Sequence, residues 1–265
     1  MTDMQQTQPS ISDVQELLQN AQASHIQKGL SQAATEILVQ NLAPAMLAGT
    51  LGVGYEALSS DKAFLFVPLL DMTGSMWQSR QDVIDAYNTM LGILKNSKQT
   101  DQMLMSSWTF NTQSYLLHGY TPLEFVPSLD TSMYSPDNQT ALYDAILDAL
   151  TGVVTYGQEL RDQGVRTKIT FVVFTDGNDN ASKNSAAKVR KVVQELLAQE
   201  IYTFALVGFG SGFAQKTGQS LGFTNVLEAG ADPASIRDAL EIVSRSVIQA
   251  SQSMIADQAA NSFFK

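Results

Sequence analysis

The chain contains no cysteine and only two histidines, His25 and His118, which stand far apart in the sequence. The first absence removes disulfide frameworks, thiolate metal sites and cysteine nucleophiles. The second removes any metal site built from several imidazoles of one chain. Basic residues are also scarce: 16 Lys and Arg stand against 26 Asp and Glu, a formal charge of -10. Such a surface repels phosphate backbones, so nucleic acid is not an expected partner. No apolar run approaches the ~20 residues of a membrane-spanning helix. The most apolar region, "LAPAMLAGTLGVGYEAL", is broken by Pro44 and three glycines. The opening "MTDMQQTQPSISDVQELLQ" carries neither a basic leader nor a long apolar stretch, so no secretory signal is read. The expected location is the cytoplasm, with no membrane among the partners.

What is present points to a well-filled core. Of 265 residues, 44% are hydrophobic and 16% charged, which suits one large domain with an appendage. Residues 1–10 are polar. Ser12 reads as a helix N-cap, with Glu16 close to capping-box distance. Val14, Leu17, Leu18 and Ala21 then recur at helical spacing, and Ile37, Leu38 and Leu42 resume it. Residues 12–43 therefore read as one long helix or two shorter ones. After a polar break at Ser59, Ser60 and Asp61 the pattern changes. The expected division is a helical extension over 1–60, a main domain over 61–255 and a tail over 256–265.

From residue 61 onward, strand-like and helix-like segments alternate. "AFLFVPLL" and "KITFVVFTD" are continuous apolar runs, as expected for strands covered on both faces. "QMLMSSWTF" and "QSYLLHGY" read as a hairpin around Asn111, and "IYTFALVGFG" and "TNVLEAG" complete six strands. Helical stripes run from Val83 to Leu94, from near Thr140 to Val153, and from Val189 to Leu197. A terminal helix begins at Asp232-Pro233, with proline in its first turn. "GFGSGF" lacks the lysine ending and the spacing of a phosphate loop and reads as a loop after a strand. The expectation is an α/β, Rossmann-like three-layer sandwich. Its six-stranded sheet is mostly parallel, with one antiparallel edge strand, helices on both faces and an N-terminal helical extension.

In such sheets, sites form beyond the carboxyl ends of the strands. Asp71 and Asp176 both stand at such ends. "FLFVPLLDMTGSMWQSR" delivers Asp71, Thr73 and Ser75 at alternating positions. Taken alone these residues fit a metal loop, a phosphorylated aspartate or a helix cap for a helix near Trp77. Thr140 in "DNQTALYDAI" and Asp176 in "FTDGNDN" add two further oxygens, though Thr140 also fits an N-cap and Asp176 a turn before Gly177. Hard oxygen ligands without sulfur or imidazole suit Mg²⁺, Mn²⁺ or Ca²⁺. Neutral hydroxyls leave such an ion electrophilic toward an incoming carboxylate, which favours recognition over bond breaking. Asp179 and Asn180 read as turn residues. Trp77 and Tyr134 read as packing residues or as contacts for a partner beside the site, and His118 reads as structural.

"DMTGSM", "TALYDAI" and "FTDGNDN", in this order, resemble the von Willebrand factor A (vWA) domain and its metal-ion-dependent adhesion site (MIDAS), over about residues 61–250. The family pattern has serine where this chain has Thr73; the hydroxyl is kept. Asn178 stands where many relatives carry an acid. The resemblance implies that Thr73, Ser75 and Thr140 coordinate the ion directly or nearly so, and that Asp71 and Asp176 act largely through water. It also implies a non-enzymatic protein-binding domain of the bacterial intracellular type, in which an Asp or Glu of a protein partner completes the shell. An AAA+ ATPase is a candidate partner, because bacterial relatives commonly work beside such machines. Two other readings stand next to it. "DMTGS" and "TDGNDN" also resemble motifs of P-type ATPases and the haloacid-dehalogenase superfamily. On that reading Asp71 is a phosphotransfer nucleophile, Asp176 or Asp179 a metal ligand, and Lys168 or Lys183 a neutralising cation. No lysine follows Asp71, however, and "TALYDAI" has no role there. In the third reading the chain is a scaffold acting through its N-terminal helices.

Overall fold

A short apolar run without a polar face, rich in Phe, Val and Leu, suits a strand covered on both sides. Residues Lys62–Asp71 form that strand, β1, and every residue after Lys62 is buried. The computed structural model describes residues 10–23, 29–41, 52–54, 58, 60–210, 212–255 and 262–264. After β1 come α3 (Arg80–Lys95), β2 (Met103–Phe110), β3 (Ser114–Pro122), α4 (Leu142–Asp162) and β4 (Arg166–Thr175). They are followed by α5 (Ala186–Leu197), β5 (Tyr202–Phe209), α6 (Ala214–Leu221), β6 (Asn225–Ala229) and α7 (Pro233–Ile255). Ahead of β1 lie α1 (Ile11–Ala23) and α2 (Gln32–Gln40).

The sheet order is β3-β2-β1-β4-β5-β6, with β3 antiparallel to β2 and every other pairing parallel. This is the expected three-layer α/β sandwich with one antiparallel edge strand. One face buries α3 and α7 around Phe66, Tyr87, Met90 and Leu240; the other buries α4, α5 and α6 around Leu65, Ile146, Phe171 and Val192. From β1 the chain moves outward to β2 and β3, then returns across the sheet to β4 and moves the other way. Right-handed crossovers in opposite directions must use opposite faces. β1 and β4 are therefore the switch point, and sheets of this kind place their sites beyond the carboxyl ends of such a pair.

Pro68 lies inside the central strand, where it removes a ladder donor. The β1–β2 pairing skips it: Phe66 pairs with Met105 and Leu69 with Trp108. The skipped partners, Ser106 and Ser107, satisfy their side chains elsewhere. Trp108 Nε1 donates to Ser106 Oγ at 3.2 Å, and Ser107 Oγ shares a 2.8 Å hydrogen bond with the Tyr87 hydroxyl.

The N-terminal stretch forms two short helices rather than one, and α1 is not capped by Ser12. Ser10 and Asp13 form the reciprocal box: the Ser10 N–H donates to Asp13 Oδ2 at 2.8 Å and the Asp13 N–H to Ser10 Oγ at 3.2 Å. Val14, Leu18, Ala21, Leu30, Ala34 and Leu38 are buried in the same cluster as α4 and the sheet. The two helices thus lie outside α4 and cover it. Leu42 and most of "LAPAMLAGTLGVGYEAL" fall outside the described residues. Helix α6 was not expected. Gly218 lets it close onto β6, since a Cβ there would stand 2.4 Å from Val226 Cγ2. Gly222, with φ 78°, ends it in the left-handed conformation, and the Phe223 N–H donates to the Gly218 carbonyl at 2.9 Å. No helix among the described residues is long and apolar enough to cross a membrane.

Candidate metal centre

β1 ends at Asp71, whose side chain is 1% exposed, and β4 ends at Thr175, directly before Asp176. Both oxygens of Asp71 are held. The Thr73 N–H donates to Oδ1 at 2.9 Å, and the Thr175 hydroxyl donates to Oδ2 at 2.6 Å. Thr175 was not singled out from the sequence, yet it fixes the rotamer of the central carboxylate. The Asp71 carbonyl accepts from the buried Tyr134 hydroxyl at 2.6 Å. Tyr134 is therefore a scaffold residue and not a surface for a partner.

The cap readings of Thr73, Ser75 and Thr140 do not hold. The chain turns through a 3₁₀ segment, Gly74–Trp77, and Thr73 makes no side-chain capping bond to it. Instead Ser75 Oγ donates to Asp176 Oδ1 at 2.8 Å and lies 3.1 Å from Thr73 Oγ1. A serine hydroxyl has one proton, and Ser75 gives it to Asp176. The Thr73 hydroxyl proton has two acceptors in reach, Ser75 Oγ and the Asp71 carboxylate. Either way both hydroxyl protons are taken up within the site, which leaves lone pairs on both oxygens for a cation.

Thr140 stands two residues before α4, whose N-cap is Ala141. The first turn of α4 is capped from another segment: Ser182 Oγ accepts the N–H groups of Tyr143 and Asp144 at 3.0 and 3.1 Å. Asn180 Oδ1 accepts the Thr140 N–H at 2.9 Å, and the Thr140 carbonyl accepts the Asn180 N–H at 2.9 Å. The Asp179 carboxylate accepts a long 3.4 Å bond from the Tyr143 N–H. Asp179 and Asn180 are thus more than turn residues; they lace the Asp176 loop to the Thr140 loop. Thr140 is 6% exposed, and its hydroxyl makes no hydrogen bond among the described residues. The middle loop also reaches the first: the Gly74 N–H donates to the Asn138 carbonyl at 3.0 Å. Asn138 holds φ 64°, a left-handed conformation that asparagine tolerates better than other side-chain-bearing residues.

Two carboxylates, Asp71 and Asp176, meet here. Burial pushes the Asp71 carboxyl up to about 6, and the charge of Asp176 adds to the rise; hydrogen bonds from Thr175 and Thr73 oppose it. Asp176 is also raised, again mainly by burial. Neither carboxylate has an ion-pair partner among the described residues. Those residues also contain no group of three or more His, Asp or Glu able to hold a metal. A cation here would rest on two carboxylates and the three hydroxyls, a donor set that fits a hard divalent ion. Of the lysines in the phosphotransfer reading, Lys168 lies at the other end of the sheet, near the amino end of β4, where Nζ donates to Ser253 Oγ at 3.3 Å. Lys183 lies in the loop after Asp176, where its backbone N–H donates to Asp144 at 2.9 Å. Asn178 accepts the Thr217 hydroxyl at 2.9 Å, and so joins the loop to α6.

No protein-family model matches the chain, and no curated protein matches it in sequence. Solved structures match its fold. Proximal thread matrix protein 1 from the mussel byssus, with a zinc-occupied MIDAS motif, aligns with TM-score 0.50 at 15% identity over 71% of this chain and 46% of its own. The D319A mutant of the PilB minor pilin from Streptococcus sanguinis aligns with TM-score 0.52 at 12% identity over 75% and 64%. The open conformation of the pilus adhesin SpaC from Lactobacillus rhamnosus GG aligns with TM-score 0.51 at 14% identity over 73% and 31%. The chain spans less than two thirds of the length of each. The likeness is one of fold: the Rossmann-like sandwich with its antiparallel edge strand.

Proposed function

We propose that the chain is a non-enzymatic, metal-dependent protein-binding domain of vWA type. Thr73, Ser75 and Thr140 hold a divalent ion, with Asp71 and Asp176 behind them. The ion, Mg²⁺ in this reading, supplies a Lewis-acidic position that an Asp or Glu of a protein partner fills. The observation that carries the reading is the pairing of two uncompensated carboxylates with a hydroxyl relay at the switch point of the sheet. The zinc-occupied MIDAS motif of the mussel-byssus protein, in a similar fold, supports it. An AAA+ ATPase as the partner, in a bacterial cytoplasm, belongs to the same proposal; the choice of partner rests on the motif resemblance.

Calorimetric titration tests the ion. The native chain should take up one Mg²⁺ or Mn²⁺, and the Asp71→Ala, Ser75→Ala double variant should take up none. Unchanged binding in that variant would overturn the assignment. A pull-down repeated with EDTA tests the partner, since a carboxylate bridged by the ion is lost with it. A partner that survives EDTA but not deletion of residues 1–60 would favour the N-terminal helices instead.

A further inference from the structure

The metal loop runs directly into an aromatic side chain. Trp77 ends the 3₁₀ segment that begins one residue after Thr73, and it is 57% exposed, whereas the other tryptophan, Trp108, is 1% exposed. Leaving an indole in water forgoes the burial that normally decides where tryptophan sits. This indole is also not free to move. The Arg80 guanidinium lies 5.3 Å from its ring centroid, within cation–π range. Arg80 is itself pinned: Nε donates to the Tyr134 carbonyl at 2.9 Å and Nη2 donates to the Thr131 carbonyl. Tyr134 closes the circuit through its hydroxyl bond to the Asp71 carbonyl. One continuous set of contacts therefore fixes the exposed ring relative to the buried carboxylate of the site. Met76, buried beside it, anchors the same turn from below.

An exposed aromatic held rigid beside a polar site has the properties of a binding hot spot: large area, little entropy left to lose and a wet surrounding. The stretch that takes up Arg80 is acidic at its surface, with Asp130 and Asp137 exposed. A partner segment rich in acid is repelled there; a segment with a single acid in an otherwise apolar setting is not.

We propose that Trp77, held by Arg80, is the second contact of the partner bound at the site. It takes a large apolar side chain adjacent to the coordinating Asp or Glu. The inference rests on the metal reading above and specifies its ligand: a loop with one carboxylate flanked by an aromatic or a large aliphatic residue.

Two capped peptides test it, N-acetyl-Asp-Phe-amide and N-acetyl-Asp-Gly-amide, titrated into the full chain loaded with Mn²⁺. The phenylalanine peptide should bind about fivefold or more tightly, in line with aromatic pair contacts. The preference should vanish in Trp77→Ala, persist in Trp77→Phe and quench the native tryptophan emission on binding. Equal affinity for the two peptides, a preference that survives Trp77→Ala, or no Mn²⁺-dependent binding of either peptide at millimolar concentration overturns the inference. Direct Mn²⁺ titration of the native chain and of Trp77→Ala separates the two levels. If the ion binds both proteins equally and the peptide preference is absent, the Trp77 assignment alone fails. If the ion does not bind the native chain, the metal reading fails with it.

Discussion

At the residue scale, Asp71 carries a conflict between stability and binding. Its carboxyl is pushed from 3.8 to about 6 by burial and by Asp176. A raised folded-state value means that the native chain keeps a proton which the unfolded chain releases. Stability without metal therefore falls as pH rises from about 4 to about 6, and stays lower above that. A rise of that size corresponds to about 3 kcal/mol at most. Asparagine is nearly isosteric and removes the charge. Its carbonyl keeps the Thr73 N–H, and its amide donates to Thr175 Oγ1, whose proton can turn to the Gly177 carbonyl at 3.2 Å. Asp71→Asn should accordingly be more stable than the native chain in EDTA at pH 8, by up to about 3 kcal/mol, and equal to it near pH 4. It should also lose the stabilisation by Mg²⁺ that the native chain shows. Urea denaturation at pH 4.5, 6 and 8 measures this. A stability difference between the two proteins that does not change with pH would show that Asp71 is not the buried acid described here.

At the element scale, the helix pair α1–α2 is part of the packing of α4 rather than an ornament on it. The outward side of α4 buries Thr151, Gly152 and Thr155, residues that suit an interface and not a solvated face. Helix α2 is fastened at its first turn by Glu195 of α5, whose two oxygens accept the Ser31 N–H and hydroxyl at 2.7 Å each. At its end, Asn41 accepts the Asn184 amide at 2.8 Å. Glu195→Ala leaves the Ser31 side chain free to cap Ala34 but removes both bonds. A loss of about 1–2 kcal/mol is expected, confined to α2. Hydrogen exchange should quicken over residues 32–40 and stay unchanged in β1 and β4; uniform quickening across the sheet would contradict local fastening. The six strands were legible because apolar runs end at Asp, Asn or Gly, and the long helices because their stripes repeat at 3.6 residues. Helix α6 was not, because "AQKTGQSL" buries only Ala214, Thr217, Gly218 and Leu221 and offers no apolar stripe. The five oxygen residues of the candidate site were singled out from their motifs, and the structure brings their loops together through hydrogen bonds. Their supports were not: Tyr134 acts across 63 residues on Asp71, and Ser182 caps a helix that starts 40 residues earlier. Only the left-handed Asn138 left a local trace, as the asparagine of "SPDNQ".

At the scale of the whole molecule, no disulfide reinforces the fold, and the -10 charge repels itself. Both facts make stability responsive to ions, in two separable ways. Any salt screens self-repulsion, whereas a specific ion binds only the folded chain and adds RT ln(1 + [L]/Kd), about 2.7 kcal/mol at 100 times Kd. For a chain of this size each kcal/mol raises Tm by roughly 2–4 °C, so roughly 5–10 °C is expected from saturating Mg²⁺. Screening contributes to that rise unless it is matched, so the comparison must be made against NaCl of equal ionic strength. Thr140→Ala separates the two contributions. It removes a hydroxyl that has no hydrogen-bond partner among the described residues, so its cost without metal should be small, while the metal loses one of its neutral ligands. The variant should keep the rise produced by NaCl and lose most of the further rise produced by Mg²⁺. If native chain and variant respond alike to Mg²⁺ at matched ionic strength, the rise belongs to the surface charge and not to the site at the carboxyl ends of β1 and β4.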